Sequence, residues 1–302
     1  VPYKLYNQTN SPLEMTNNSE SHGIRLYGLD FDHMNNLWFV QTRMKKGLHK
    51  LSEDGQITSY DLEGVLPYDS ELALTDLVVS KEGNVFFGTA ENGLVGYNPV
   101  SRRFHRVPGG TNGGFPAYAY IYAMDIDQQG RLWIGTGKGL RVIQNTSNFF
   151  DPGANPTARQ IIIMDGDVPQ ELLFEIPINA IHVDGANNKW IATATSGVFY
   201  VSANGQETIH HFTKANSPLP SNDVQDVSVD PVTGKVFFAT THGLMSFQGS
   251  ATAAHDDLKQ LHAYPNPVRP EYQGQVTIAG LMENTNVKIT DLEGNLVFEA
   301  TS

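Results

Sequence analysis

Acidic side chains are the first residues here that could do chemistry. Asp30-x-Asp32 with Asn35 and Asn36, and Asp125-x-Asp127 with Gly130, are similar to the opening of a calcium loop. Such a loop needs about six or more oxygens, including a late bidentate carboxylate, and no Glu follows at the required spacing. The same residues suit a hairpin turn in which Asp accepts backbone N–H bonds, so no metal site is expected. Glu171 with Glu175, and Asp223 with Asp226, are paired carboxylates of the acid–base type, but both pairs fall on expected loops. His210 and His211 are neighbours on an expected strand, so their rings face opposite sides of a sheet and cannot share one metal. The Gly-rich run 108–114 precedes no helix, which makes it a poor phosphate cradle. No H-E-x-x-H, G-x-S-x-G or Walker-type loop occurs. With no Cys in 302 residues, a thiol nucleophile, a Cys–zinc site and a disulfide scaffold are excluded. No cofactor is expected and no catalytic residue is assigned.

Recognition is the better use of these side chains. Tyr118, Tyr120 and Tyr122 end an insertion that spans 109–122. Alternate positions on a strand point to one side, which predicts a row of rings with hydroxyl tips. Such a row meets a sugar ring or a protein partner through apolar faces with a polar edge, or packs into the core. Arg43, Lys45, Lys46, Lys138 and His242 fall at equivalent turns and would give one face local positive charge, although the chain carries a net charge of −12. Each alone is also an ordinary solvated side chain. The acidic balance argues against a general nucleic-acid binder, because phosphate contacts need clustered Lys and Arg. No stretch approaches the ~18 apolar residues of a membrane span.

The elements that must position these residues come from an internal repeat. Five short aromatic strands align on Trp38, Phe86, Trp133, Trp190 and Phe237, at intervals of 48, 47, 57 and 47 residues. Each is followed by a Gly and an apolar residue, as in Gly93-Leu94 and Gly139-Leu140. Each except the second is preceded by an alternating strand ending at an acidic turn; the second has Ser80 there. Short strands bounded by Gly, Asn and Asp are hairpin grammar. Outer strands are expected at Arg103–Val107, Thr208–Phe212 and Leu258–Ala263. A second echo, Asn10-Ser11-Pro12-Leu13, recurs as Asn216-Ser217-Pro218-Leu219. Four strands per unit, repeated radially, predict a β-propeller, with the aromatic anchors packed between blades.

The pattern D-x-x-G-x-L-W-I-G-T-x-x-G-L, clearest from Asp127 to Leu140, resembles the two-component-regulator propeller repeat. That resemblance covers roughly residues 1–250 and implies a fold first, since propellers host many functions. Tyr3–Tyr6 is expected to be an orphan outer strand, either from an excised larger propeller or as a clasp closing a small ring. The start, Val1-Pro2-Tyr3-Lys4, has neither an initiator Met nor a signal sequence and is expected to be processed or excised.

Beyond His262 a Pro-rich junction, residues 264–270, marks a domain boundary. Strands are expected at 275–278, 286–290 and 295–299, forming one small sheet. The residues Tyr264-Pro265-Asn266-Pro267 and Val287-Lys288-Ile289-Thr290-Asp291-Leu292-Glu293-Gly294 resemble the C-terminal sorting domain of type IX secretion. In that family a Gly-rich segment with Trp and a final strand follow, and both are missing here. The expected fold class is therefore all-β: a partial β-propeller with four-stranded blades over 1–262, then an incomplete immunoglobulin-like β-sandwich over 263–302.

Together the two halves resemble surface components of the type IX attachment complex. The resemblance implies a non-enzymatic, exported, outer-membrane-associated protein that binds anionic lipopolysaccharide and presents it to a sortase-like partner. Two other readings stay open. One is the periplasmic ligand-sensing propeller of a hybrid two-component receptor for polysaccharide fragments. The other is a propeller polysaccharide lyase or hydrolase, which would need convergent carboxylates or a His–Tyr pair in the central cleft.

Overall fold

The computed structural model describes residues 4–16, 23–67, 72–254, 257–274, 276–282 and 285–301. The chain is all-β, and its repeats fold as successive antiparallel sheets. The first blade comprises β1 (Leu26–Phe31), β2 (Leu37–Gln41), β3 (Leu48–Leu51) and β4 (Ile57–Tyr60). The second comprises β5 (Leu74–Val79), β6 (Val85–Thr89), β7 (Leu94–Asn98) and β8 (Arg103–Val107). A third sheet has three strands, β9 (Ile121–Ile126), β10 (Leu132–Thr136) and β11 (Gly139–Ile143). It is followed by a separate hairpin of β12 (Ile162–Asp165) and β13 (Val168–Glu171). The fourth blade again has four strands: β14 (Ile178–Val183), β15 (Lys189–Thr193), β16 (Val198–Val201) and β17 (Thr208–Phe212). The fifth has three: β18 (Val224–Val229), β19 (Lys235–Thr240) and β20 (Gly243–Gln248). Inner strands β1, β5, β9, β14 and β18 lie side by side in that order. No comparable packing among the described residues joins β18 back to β1, so the blades form an open arc.

The repeat sequence builds each blade in the same way. A Thr ends the second strand of four blades and closes the next turn through its hydroxyl: Thr89 to the Gly93 carbonyl, Thr136 to Gly139, Thr193 to Gly197 and Thr240 to Gly243, all at 2.7–2.8 Å. The Gly after that turn is required. At Gly93 (φ 82°) and Gly197 (φ 78°), a Cβ would lie about 2.2 and 2.1 Å from the carbonyl oxygens of Val107 and Phe212 on the outer strand. Small residues within the aromatic strand admit the next blade, since a Cβ on Gly135 would strike Ile178 at 2.5 Å.

Trp38, Phe86, Trp133 and Trp190 are buried and each packs against the following blade. Phe237 is only half-buried, because no described blade packs on its side of the fifth sheet.

Several strand expectations need correction. The third blade lacks a fourth strand: a single bridge between Val142 and Arg159 stands there, and the long connection instead drives Phe149 against Phe86 (5.0 Å). Leu258–Ala263 is not the outer strand of the fifth blade. The chain turns at 257–260, and β21 (His262–Tyr264) pairs with β22 (Thr277–Ala279) instead. The tail strands do not form one sheet, because β23 (Asn286–Thr290) pairs separately with β24 (Leu296–Thr301). Gln275, the start of one expected strand, lies outside the described residues, as does Tyr3.

Lys4–Tyr6 is irregular rather than a strand, yet its continuation copies the connection between the fourth and fifth blades. Asn10 Nδ2 donates to the Leu5 carbonyl as Asn216 Nδ2 does to His211, each at 2.8 Å. The Ser11 and Ser217 hydroxyls donate to the Asn7 and Thr213 carbonyls at 2.6 and 2.7 Å. Leu13 and Leu219 are both buried beyond these bonds. The repeated Asn-Ser-Pro-Leu is therefore a device that turns the chain from an outer edge into the next inner strand.

Candidate functional face and central cleft

One hydrogen bond recurs in every blade and defines a face. The amide after the second strand donates to the segment entering the first strand: Thr42 to Arg25, Ala90 to Ala73, Gly137 to Tyr120, Ala194 to Pro177 and Thr241 to Asp223. Arg43, Lys45, Lys46, Lys138 and His242 all belong to these turns, so they share one side of the arc. Lys45, Lys46, Lys138 and His242 are exposed. Lys45 Nζ lies 3.7 Å from Glu63, and the His242 Nδ1 is 3.0 Å from the Thr241 hydroxyl. Arg43, held at φ 64° with its amide bonded to Leu72, lines a 430 Å³ pocket between the first two blades with Arg25, Tyr27, Asp76 and Tyr122.

The predicted tyrosine row is shorter than expected. Tyr118 lies in a turn at φ 55° and is 79% exposed, so it does not share a strand with the others. Tyr120 precedes β9 and only Tyr122 is on it. Their two rings stack with centroids 6.1 Å apart, and the Tyr120 hydroxyl donates to Glu91 at 3.1 Å. Tyr122 covers the Gly137 turn and reaches the pocket that Arg43 lines. The structure therefore brings Arg43 and Tyr122 together and sets Lys45, Lys46, Lys138 and His242 around the same face.

The central cleft holds converging carboxylates of the kind the lyase or hydrolase reading asks for, at residues the sequence had not assigned to it. Its volume is 520 Å³ and its walls include Asp30, Asp76, Asp125, Asp226 and His182, with Tyr122 and Asp76 shared with the pocket above. Three of these carboxylates stitch successive blades. Each accepts the amide of the next residue with one oxygen and an amide of the next blade with the other: Asp30 from Val79, Asp76 from Met124 and Asp125 from Val183, all at 2.7 Å. Between the fourth and fifth blades Asn179 replaces this clasp, donating from Nδ2 to the Val224 carbonyl at 2.9 Å. Burial pushes the Asp76 carboxyl up to about 6 and Asp125 up to about 7, opposed by these amides and reinforced by the neighbouring carboxylates. Asp30 is raised for the same first reason, and burial lowers His182.

The calcium-like pairs thus split into two structural roles. Asp30 and Asp125 clasp the next blade. Asp32 and Asp127 each close a turn and accept the indole N–H of Trp38 or Trp133 at 2.9 and 2.8 Å. Among the described residues no group of three His, Asp or Glu is placed to hold a metal ion. Glu171 is not half of a carboxylate pair, since it ends β13 and is bonded to Arg141. Asp226 lies on β18 rather than a loop. His210 and His211 do face opposite ways, stacking on Tyr200 and Phe199 respectively. The cleft was detectable from the acids at inner-strand positions, once the register had placed Asp30 and Asp125 opposite Trp38 and Trp133.

This architecture is an arc of a β-propeller. Residues 114–138 match the model of the two component regulator propeller. No curated protein sequence matches the chain. Among solved structures it is similar to PorZ, described as an essential surface component of the type-IX secretion system of Porphyromonas gingivalis. The identity is 23% and the TM-score 0.71, over 98% of this chain and 41% of that one. It is also similar to the extracellular domain of a protein from B. thetaiotaomicron described as a hybrid two component system. There the identity is 16% and the TM-score 0.57, covering 98% of this chain and 35% of that one. A second such domain from B. thetaiotaomicron matches at 16% identity and TM-score 0.54, covering 81% and 29%. The chain spans well under half the length of each, and the likeness is one of fold.

Proposed function

We propose that this chain belongs to a non-enzymatic, exported surface protein of the PorZ kind. In this reading it recognises anionic lipopolysaccharide on the turn-bearing face and presents it to a sortase-like partner of the type IX attachment machinery. Residues 263–302 then belong to its sorting-type domain. The reading is carried by the likeness to PorZ, which runs through both the arc and the C-terminal strand pairs, 98% of the chain at TM-score 0.71. The charge distribution supports it and limits it. An anionic polymer is repelled by the four aspartates of the cleft, so it is held at the rim by Arg43, Lys45, Lys46 and Lys138, with Tyr122 beneath a sugar face.

The test is titration of purified anionic lipopolysaccharide and a neutral polysaccharide into the wild type and into Lys45→Glu/Lys46→Glu/Lys138→Glu. Charge reversal should weaken lipopolysaccharide at least about tenfold and leave any neutral binding unchanged. Unaltered lipopolysaccharide affinity would overturn the reading. The receptor alternative is favoured by the two component system domain that also covers 98% of the chain. It predicts instead that a neutral oligosaccharide binds and is lost in Tyr122→Ala.

A further inference from the structure

The seams between blades are filled differently, and one of them is left open. Between the first and second blades Trp38 meets Tyr60 and Tyr97 at 5.5 and 6.0 Å, with Phe104 tilted against Tyr97 beyond. Between the second and third, Phe149 and Phe150 close on Phe86. Between the third and fourth, the Lys189 ammonium sits 4.4 Å from the Trp133 ring and Ile161 packs beside it. Between the fourth and fifth, the missing outer strand leaves a 350 Å³ cavity against Trp190, covered by Tyr264 and Thr277 of the C-terminal pair.

We propose that this cavity is a binding site for a single neutral sugar ring, with Trp190, Tyr200 and Phe247 as its apolar walls and Trp190 Nε1, Gln248 and Ser250 as its polar contacts. The inference goes beyond the lipopolysaccharide reading and does not depend on it. Trp190 and Tyr200 stack on one another at 4.1 Å and Trp190 is 2% exposed, so the apolar wall is made by what these rings leave uncovered together with Phe247, 5.7 Å from Trp190. An apolar aromatic wall of this kind suits the C–H groups of a pyranose.

The polar groups decide the class. Trp38 and Trp133 spend their indole N–H on an aspartate, whereas Trp190 Nε1 has no hydrogen-bond partner among the described residues. The equivalent Asp184 is already committed, accepting the Tyr200 hydroxyl at 2.6 Å and the amides of Ala186 and Asn188 at 3.0 Å. It therefore has little left for a cation. Gln248 donates both its bonds to the Thr233 and Gly249 carbonyls, which leaves its Oε1 as an acceptor. Among the described residues no Lys or Arg lines the cavity, and its one imidazole, His210, is stacked on Tyr200. A donor, an acceptor and a hydroxyl around stacked rings match an uncharged polyol, and the volume lies at the small end of ligand sites.

The experiment uses the full chain with methyl β-D-glucopyranoside, methyl β-D-galactopyranoside and methyl α-D-mannopyranoside, read by saturation-transfer NMR and calorimetry. At least one should bind, receiving saturation through its ring C–H protons. Gln248→Ala should weaken it about tenfold, the worth of one hydrogen bond. Thr277→Trp should abolish binding by filling the cavity from the C-terminal side. The inference fails if none of the three glycosides binds, or if binding survives both substitutions. Neither variant touches the rim cations, so failure here leaves the lipopolysaccharide test intact.

Discussion

The seam between the third and fourth blades and the seam between the fourth and fifth start from the same repeat and end in opposite chemistry. Each has an anchoring Trp and, six residues before it, an Asp closing the turn. In the first, Lys189 extends into the gap and its ammonium is saturated by Asp127 at 3.0 Å and the carbonyls of Asn187 and Ala203 at 2.7 Å. Hydrogen bonds from Trp133, Arg131 and Lys189 hold Asp127 below the usual carboxylate range against the opposing effect of burial. The inner clasp of that seam, from Asp125, is also ionisable. In the second seam the clasp is an amide, the aspartate accepts a tyrosine hydroxyl in place of a lysine, and a cavity lies beside Trp190. One seam is plugged by an ion pair and the other keeps a pocket walled by aromatic rings.

The inner clasps should separate the two most strongly. Asp125, and Asp76 in the seam before it, bind protons more tightly in the folded chain than in the unfolded one, so between about pH 4 and pH 7 the native state holds more protons. Stability therefore falls as pH rises through that window, and the contribution is complete only below it. Each pKa unit is worth about 1.4 kcal/mol, so the fall amounts to several kcal/mol. Urea unfolding at a series of pH values should show this slope, and Asp125→Asn should flatten it. Asn179→Ala, which removes an amide clasp, should lower stability by a pH-independent amount. A slope unchanged in Asp125→Asn would remove the ionisable clasp as its source.

Lys189 carries the next largest effect. Replacing it with Met leaves Asp127 buried with one cationic partner fewer, and removing one member of a buried pair costs about 3–5 kcal/mol. Burial drives the Lys189 pKa down to about 8, opposed by Asp127. The double change Lys189→Met/Asp127→Asn should recover part of the loss, since it removes the orphaned charge. A loss below about 1 kcal/mol in the single variant would mean that the plug contributes packing alone.

The blades were legible in the sequence because short alternating strands, a Gly after each second turn and an aromatic every 47 to 57 residues are local signals. The five anchors and the turns that carry Arg43, Lys45, Lys46, Lys138 and His242 follow from that periodicity. What was missed depends on which face an alternating residue takes and on what its neighbour in space provides. Asp30 and Asp32 are two apart and look like one cluster, yet one reaches Val79 of the next blade and the other its own Trp38. Lys189 occupies a position that is Leu37, Val85, Leu132 and Val236 in the other copies, so only the burial of its ammonium marks it. Tyr118 was placed on a strand by alternation and leaves it because its backbone turns at positive φ. The outer strand of the fifth blade failed because the pattern at 258–263 is compatible with pairing elsewhere, and Thr277–Ala279 supplies that pairing.

The two tryptophans give the finest discrimination. Trp133→Phe and Trp190→Phe remove similar ring area from the same position in consecutive seams, so the packing loss is comparable. They differ in one bond, because the Trp133 indole N–H donates to the buried Asp127 carboxylate at 2.8 Å and that of Trp190 has no such partner. A hydrogen bond to a charged group is worth about 1.5–3 kcal/mol. Trp133→Phe should therefore be the more destabilising by roughly that amount in denaturant unfolding, with similar m-values for both. Saturating either protein with a sugar that binds should stabilise the Trp133 variant by mass action and leave the Trp190 variant unshifted. Equal destabilisation by the two substitutions would mean that the indole of Trp190 has a partner in solution, and the cavity would lose its donor.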